Sequence, residues 1–129
     1  MDGLTVCVID DDLAVRRGLT RLLEVCGYRV ETYGSPREFL RQGTHSHFDC
    51  ILLDVRMPGL TGFELYDRLS SAGSRVPVIF ITGHADAGTA GHATRSGPVT
   101  VLIKPFDEEA LFAAIREATS ESNPDAAIT

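Results

Sequence analysis

The sequence predicts an α/β fold, a doubly wound parallel sheet of five strands with helices on both faces. Strand and helix patterns alternate five times along the 129 residues. The strand segments 4–9, 48–53 and 76–81 are apolar throughout, which is typical of parallel strands that are covered on both faces. The length is that of one ordinary domain, and the sequence contains no internal repeat.

The composition excludes several classes of function. The net charge of -6 repels phosphate backbones, so we expect no direct binding to nucleic acid. No apolar segment approaches the roughly 20 residues that are needed to cross a bilayer. Cys7, Cys26 and Cys50 lie in apolar runs without metal-site spacing, which indicates buried thiols in a reducing compartment. We therefore expect a cytoplasmic protein without membrane contact.

The first half of the chain contains two strands, each followed by a helix. After the first strand, a helix is predicted over residues 13–26, where apolar residues recur at steps of three and four. The second strand, 29–33, alternates polar and apolar residues, as a strand near a sheet edge does. Ser35 and Glu38 have the spacing of a capping box, which predicts a short second helix.

The second half of the chain contains the other three strands. A turn rich in Gly and Pro follows the third strand and leads into a helix over 63–72. The fourth strand precedes a weak helical pattern over 84–96, which Gly88 and Gly91 interrupt. The fifth strand is predicted at 99–103.

The chain closes with a helix and a polar segment. Asp107 is placed to cap a helix that runs to about Ala118. Residues 120–129 are polar and include a proline, which predicts a tail or the start of a linker. We therefore assign one domain to residues 1–119.

Polar side chains stand at the carboxyl ends of four of the predicted strands. In a doubly wound sheet, ligands bind at these ends, at the point where the strand order reverses. Because all parallel strands end on one side, residues far apart in sequence should converge into one pocket. These residues are Asp10, Asp11 and Asp12 after the first strand, Asp54 after the third, Thr82 after the fourth and Lys104 after the fifth.

This set of residues indicates phosphoryl transfer assisted by a metal. Clustered carboxylates repel one another, and a divalent cation such as Mg²⁺ relieves the repulsion and also binds phosphate oxygens. Asp54 is the best candidate for a nucleophile that forms an acyl phosphate. Lys104 supplies a positive charge and Thr82 a hydroxyl for the phosphoryl oxygens. Each residue alone is more commonly a helix cap, a strand end or a solvated charge, so the interpretation rests on their joint order.

Four segments resemble the four signatures of response-regulator receiver (CheY-like) domains. They are Val8–Asp12, Leu53–Gly62, Ile81–His84 and Lys104–Phe106, and the resemblance covers about residues 4–118. The Ile-Thr-Gly-His motif is similar to that of receivers in FixJ-type transcription regulators. The resemblance implies a flavodoxin-like sheet with strand order 2-1-3-4-5.

The resemblance also implies a metal site. Asp10 and Asp11 would form the acidic pair of the family, and Asp11 and Asp54 would bind Mg²⁺ directly. The backbone carbonyl of Arg56 would complete the protein ligands. Asp12 would contribute to the electrostatic field rather than act as a ligand.

The same resemblance implies a signalling role. Asp54 would receive a phosphoryl group from the phosphohistidine of a histidine kinase, and Thr82 and Lys104 would contact this group. The bond between Lys104 and Pro105 would be cis. The chain would act as a phosphoacceptor that assists its own phosphorylation and dephosphorylation rather than as an enzyme. Its phosphorylation would switch an output domain or partner, with regulation of transcription as the expected result.

One departure from the family concerns the switch. Val101 stands three residues before Lys104, where the family usually has Tyr or Phe. Together with the glycines of the weak helix, this leads to the hypothesis that residues 84–101 are unusually mobile and that the output differs from the family norm.

Several alternatives stay open or are disfavoured. The chain could precede a DNA-binding effector domain outside this sequence, or it could act alone through protein contacts, and phosphorylation could promote a homodimer. An aspartyl-phosphate hydrolase is disfavoured, because such enzymes usually carry an acid where Arg56 stands. A flavodoxin-like cofactor module is disfavoured, because the three acids after the first strand would repel an anionic cofactor.

Overall fold

A computed structural model describes residues 3–42, 47–83 and 100–121 of the chain. The predicted weak helix at 84–96 lies outside the described residues, as does most of the polar segment after 120. The hypothesis of a mobile 84–101 region therefore stays a prediction. No helix among the described residues is both long and apolar enough to span a membrane.

The described residues form a five-stranded parallel sheet in the order β2-β1-β3-β4-β5, which confirms the predicted topology. The strands are β1 (Thr5–Ile9), β2 (Arg29–Tyr33), β3 (Cys50–Asp54), β4 (Val78–Thr82) and β5 (Thr100–Ile103). The helices are α1 (Leu13–Val25), α2 (Pro36–Leu40), α3 (Gly62–Ser71) and α4 (Glu108–Glu121).

Two hydrophobic clusters cover the two faces of this sheet, because successive side chains of a strand point to opposite sides. One face of the sheet packs against α1 and α4, and Leu52 of β3 lies in that cluster. The other face packs against α2 and α3, and Leu53 of β3 lies in that cluster. Every residue of β3 is buried, so packing fixes the position of this central strand and of its last residue, Asp54.

Side-chain caps begin the helices. Asp12 caps α1 by accepting hydrogen bonds from the backbone N–H groups of Ala14 and Val15. Before α4, the Asp107 carboxylate accepts from the N–H of Ala110 at 2.7 Å, as the sequence predicted. The capping box at Thr61 and Glu64, which begins α3, was not predicted from the sequence.

The start of α2 differs in detail from the prediction. The Ser35 hydroxyl accepts a hydrogen bond from the N–H of Glu38 at 3.1 Å, as expected. The Glu38 carboxylate, however, accepts from the N–H of Gly34 at 3.3 Å and not from that of Ser35. The predicted box therefore closes one residue earlier along the chain.

The prediction of a buried Cys26 was wrong. Cys7 and Cys50 are buried in the sheet, but Cys26 is exposed. Helix α1 ends at Val25, and Cys26 follows as its C-terminal cap. The helical face that points to the sheet has ended at this point, so the thiol faces solvent.

β3 and β4 begin two residues later than predicted, and β1 begins one residue later. We expected strands from Phe48 and Val76, whereas β3 begins at Cys50 and β4 at Val78. Pro77 has no backbone N–H to donate to a neighbouring strand, which accounts for the later start of β4. Phe48 is buried, but it stacks on Phe39 outside the strand ladder.

Candidate functional site

The carboxyl ends of the strands bring the predicted site residues to one edge of the sheet. Asp10 directly follows β1, and Asp54 is the last residue of β3. Thr82 ends β4, and Lys104 follows β5. The backbone N–H of Lys104 donates to the Thr82 carbonyl at 2.8 Å, so the parallel pairing of β4 and β5 continues to the edge.

Three carboxylates form an acidic cluster at this edge. Asp10, Asp11 and Asp54 each offer an oxygen, and these oxygens lie within 4.8 Å of one another. Asp10 and Asp54 are buried, whereas Asp11 is exposed, so the cluster opens to solvent on the side of Asp11. Hard oxygen donors at this spacing fit a small divalent cation.

The surroundings of Asp54 raise the pKa of its carboxyl group. Burial is the main cause that raises the pKa of this carboxyl from 3.8 to about 6, and the charge of Asp10 adds to it. The Lys104 ammonium and the Arg56 N–H, 3.4 Å from Asp54 Oδ1, lower the pKa in part. At neutral pH the ionised Asp54 is therefore held against an unfavourable local potential, which a bound cation would relieve.

Lys104 lies against the same cluster. Its Nζ is 3.3 Å from Asp10 Oδ2, although the two residues are 94 positions apart in sequence. The side chain is one-third exposed, so the ammonium group can reach both the acids and the solvent. The bond between Lys104 and Pro105 is cis, as the family resemblance implied.

Thr82 and Arg56 complete the set that the sequence singled out. Thr82 is fully buried at the end of β4, the strand that pairs with the strand of Asp54. Arg56 lies two residues after Asp54 and contacts its carboxylate through the backbone N–H. The roles of the Arg56 carbonyl as a metal ligand and of the Thr82 hydroxyl as a phosphoryl contact stay predictions.

Gly62 supports the site in a way that the sequence analysis missed. Its N–H donates to the Val55 carbonyl at 3.0 Å, which brings the start of α3 against the end of β3. A Cβ atom at Gly62 would lie 2.4 Å from the backbone carbonyl oxygen of Asp54. Only glycine permits this approach, whereas the Gly- and Pro-rich sequence after the third strand predicted no more than a turn.

Arg16 is a second support that was missed. Its Nη1 donates to the backbone carbonyl of Asp10 at 2.5 Å, and the Asp10 carboxylate accepts from the N–H of Asp12 at 2.9 Å. A Cβ atom at Gly34 would lie 3.2 Å from this Nη1, so Gly34 leaves room for the guanidinium. The signal in the sequence was an arginine at an apolar position of the α1 pattern.

Comparison with known proteins gives consistent matches. The family model of the response regulator receiver domain matches residues 6–116. The chain is 43% identical over 121 residues to the transcriptional regulatory protein FixJ of Azorhizobium caulinodans, covering 94% of this chain and 57% of that protein. It is 40% identical over 114 residues to nodulation protein W of Bradyrhizobium diazoefficiens, covering 88% and 50% respectively.

The solved structures show the same likeness. Full-length FixJ from B. japonicum superposes with a TM-score of 0.85 at 37% identity, covering 98% of this chain and 62% of that one. The Vibrio cholerae chemotaxis protein CheY4 superposes with a TM-score of 0.78 at 30% identity, covering 89% and 98%. The chain spans about half the length of the FixJ and nodulation relatives that it matches.

Proposed function

This chain belongs to the response regulator receiver family, and from that membership we propose that Asp54 accepts a phosphoryl group from the phosphohistidine of a histidine kinase. The chain would act as the phosphoacceptor of a two-component relay that also assists its own dephosphorylation, not as an enzyme with a separate substrate. One observation carries the proposal: the clustered carboxylates of Asp10, Asp11 and Asp54 have the ammonium of Lys104 beside them.

The transfer itself is a displacement at phosphorus. A carboxylate oxygen of Asp54 forms a bond to phosphorus while the bond from phosphorus to the donor imidazole nitrogen breaks, and the imidazole leaves with the electron pair. The product is an acyl phosphate on Asp54. Burial of Asp54 at the end of a fully buried strand holds the attacking oxygen in place.

Charge at the site favours this transfer. Magnesium held by Asp10, Asp11, Asp54 and the Arg56 carbonyl would supply positive charge to the phosphoryl oxygens. The Lys104 ammonium would form an ion pair with the new phosphoryl group, and its distance of 3.3 Å from Asp10 Oδ2 supports this role. The Thr82 hydroxyl would donate a hydrogen bond to the same group.

The relatives support a proposal for what the receiver domain controls. They include transcriptional regulators of about twice this length, so we propose a DNA-binding effector domain attached after the receiver domain at residues 1–119. Helix α4 extends to Glu121, so the part of the polar segment 120–129 that follows this helix would then begin the linker. A stand-alone receiver that acts by protein contact is the alternative. We further propose a cytoplasmic location, since the kinase and the DNA target of such a relay lie there, and a homodimer that forms on phosphorylation.

Incubation with acetyl phosphate and Mg²⁺, followed by intact mass measurement, tests the proposal. We expect the wild type to gain the mass of one phosphoryl group, and we expect no gain for Asp54→Asn or in EDTA. Asp67→Asn, which changes an exposed carboxylate on α3, is the matched control and should gain the group like the wild type. An unmodified wild type, or a modified Asp54→Asn variant, would contradict the proposal.

A further inference from the structure

A surface cleft separate from the acidic cluster lies between α2, the loop after β3 and α3. It encloses about 570 Å³ and shares no residue with the acidic cluster. The floor is apolar and the rim is basic. The floor is lined by Pro36, Leu40 and Leu60, and the rim by Arg37, Arg41 and Arg68. We call this feature the arginine cleft.

The three rim arginines form no ion pair with a carboxylate of the described residues, although Glu38 and Glu64 lie on the same helices. None of their guanidinium groups forms an ion pair or a side-chain hydrogen bond with a described residue. The nearest acid on α2, Glu38, instead accepts a hydrogen bond from Gly34. Arg37 and Arg41 are four residues apart, so their like charges lie on the same side of the helix and repel each other.

The chain has 18 acidic residues and a net charge of -6, yet none of these acids in the described residues forms an ion pair with the three rim arginines. Arginines that converge without a partner are the arrangement that binds carboxylates, because the planar guanidinium forms paired hydrogen bonds with them. An anionic ligand would remove the mutual repulsion of the rim. The charges therefore point to a negatively charged occupant.

The shape of the cleft identifies the kind of occupant. Arg37, Arg41 and Arg68 are exposed, and the cleft is open along this rim. Sites for small molecules usually enclose most of the surface of the ligand, whereas this cleft is open on one side. Nucleic acid is disfavoured by the net charge and by an apolar floor that offers nothing to a phosphate.

We infer that the arginine cleft binds an acidic segment of a partner protein. An apolar side chain of that segment would lie on the floor between Leu40 and Leu60, and flanking carboxylates would pair with the rim arginines. The loop that carries Leu60 connects the strand of Asp54 to α3. The inference does not depend on phosphorylation of Asp54.

Selection from a displayed library of random twelve-residue peptides tests the inference. The folded chain is the target, and the affinity of an enriched peptide is measured by fluorescence polarisation. We expect enriched peptides to carry several Asp or Glu residues around an apolar residue. We expect the combined variant R37Q, R41Q and R68Q to bind at least about tenfold more weakly, and Leu60→Ser to weaken binding as well.

A matched variant separates the cleft from net charge. The combination R29Q, R75Q and R116Q removes three exposed arginines elsewhere and should change the affinity by less than about twofold. Equal loss in both triple variants, enrichment of peptides without acidic residues, or equally tight binding of a twelve-nucleotide single strand would overturn the inference. Circular dichroism of each variant checks that the fold is retained.

Discussion

At the scale of single residues, Asp54 is the site residue whose ionised form is disfavoured by its surroundings. It is buried beside Asp10, and these two causes raise its pKa to about 6. Asp54 is ionised near neutral pH, so a folded chain without a cation holds this charge at a cost in free energy. The buried position in which we propose that Asp54 accepts a phosphoryl group therefore lowers the stability of the metal-free protein.

A dependence of stability on pH follows. Because the folded pKa of Asp54 lies above its unfolded value of 3.8, the folded state keeps the proton that the unfolded state releases. The contribution of Asp54 to the free energy of unfolding should therefore fall as pH rises from about 4 to about 6 and stay low above that range. Urea unfolding in EDTA between pH 4 and pH 8 measures this change.

The variant Asp54→Asn should lack this fall. At pH 7.5 in EDTA we expect it to be more stable than the wild type by about 1–3 kcal/mol, and the difference should vanish toward pH 4. Added Mg²⁺ should stabilise the wild type and leave the variant nearly unchanged. If wild type and variant showed parallel pH profiles, burial of Asp54 beside Asp10 would not carry the cost that we assign to it.

The sequence predicted the residue types of the site but not their supports. Asp10, Asp11, Asp54, Thr82 and Lys104 were found because strand ends are visible as the limits of apolar runs. Gly62 and Arg16 were not found, since their roles depend on distances across elements. A glycine between a turn and a helix looks the same in sequence whether or not a carbonyl lies 2.4 Å from its missing Cβ.

At the scale of single elements, cap residues decide where helices begin. The capping box at Thr61 and Glu64 was visible as a four-residue pattern, but the glycines around it favoured the interpretation as a turn. The end of α1 was predicted to within one residue, but the exposure of Cys26 was not. Whether a residue at a helix end is buried depends on where the contact between helix and sheet stops, and the neighbouring residues in the sequence do not show that.

Two glycines in helices provide a paired prediction. Gly62→Ala should destabilise the chain by about 1–3 kcal/mol, because its Cβ would overlap the backbone of Asp54 and Val55. Gly18→Ala in α1 should stabilise it by about 0.5–1 kcal/mol, because a Cβ there meets nothing within 4 Å and alanine favours the helix.

Thermal or urea unfolding of the two variants measures both values. We also expect Gly62→Ala to accept the phosphoryl group more slowly than Gly18→Ala, because the displaced backbone carries Asp54. Similar stabilities for the two variants would show that α3 can move away from β3 without cost.

At the scale of the whole molecule, the sheet separates two hydrophobic clusters. Ile51 lies in the cluster under α2 and α3, and Ile79 in the cluster under α1 and α4. The alternation of side chains along β3 and β4 was predictable from their unbroken apolar runs. Which helix covers which face was not, because an apolar run has no polar side that would indicate it.

A double-mutant cycle tests this separation. Ile51→Val and Ile79→Val should each cost about 0.5–1.5 kcal/mol. Because the two side chains point to opposite faces, the costs should add to within about 0.5 kcal/mol. Leu52→Ala with Ile79→Val is the contrasting pair, since these residues are neighbours on one face and pair directly across the strands. Equal coupling in both pairs would contradict two separate clusters.

The 94-residue separation between Asp10 and Lys104 has a consequence for synthesis of the chain. A ribosome exposes the aspartates of the first strand long before it has made the lysine that faces them. During that interval the growing polypeptide carries these acids without their cationic neighbour. The ion pair between Asp10 and Lys104 therefore forms late in translation, after β5 has been made.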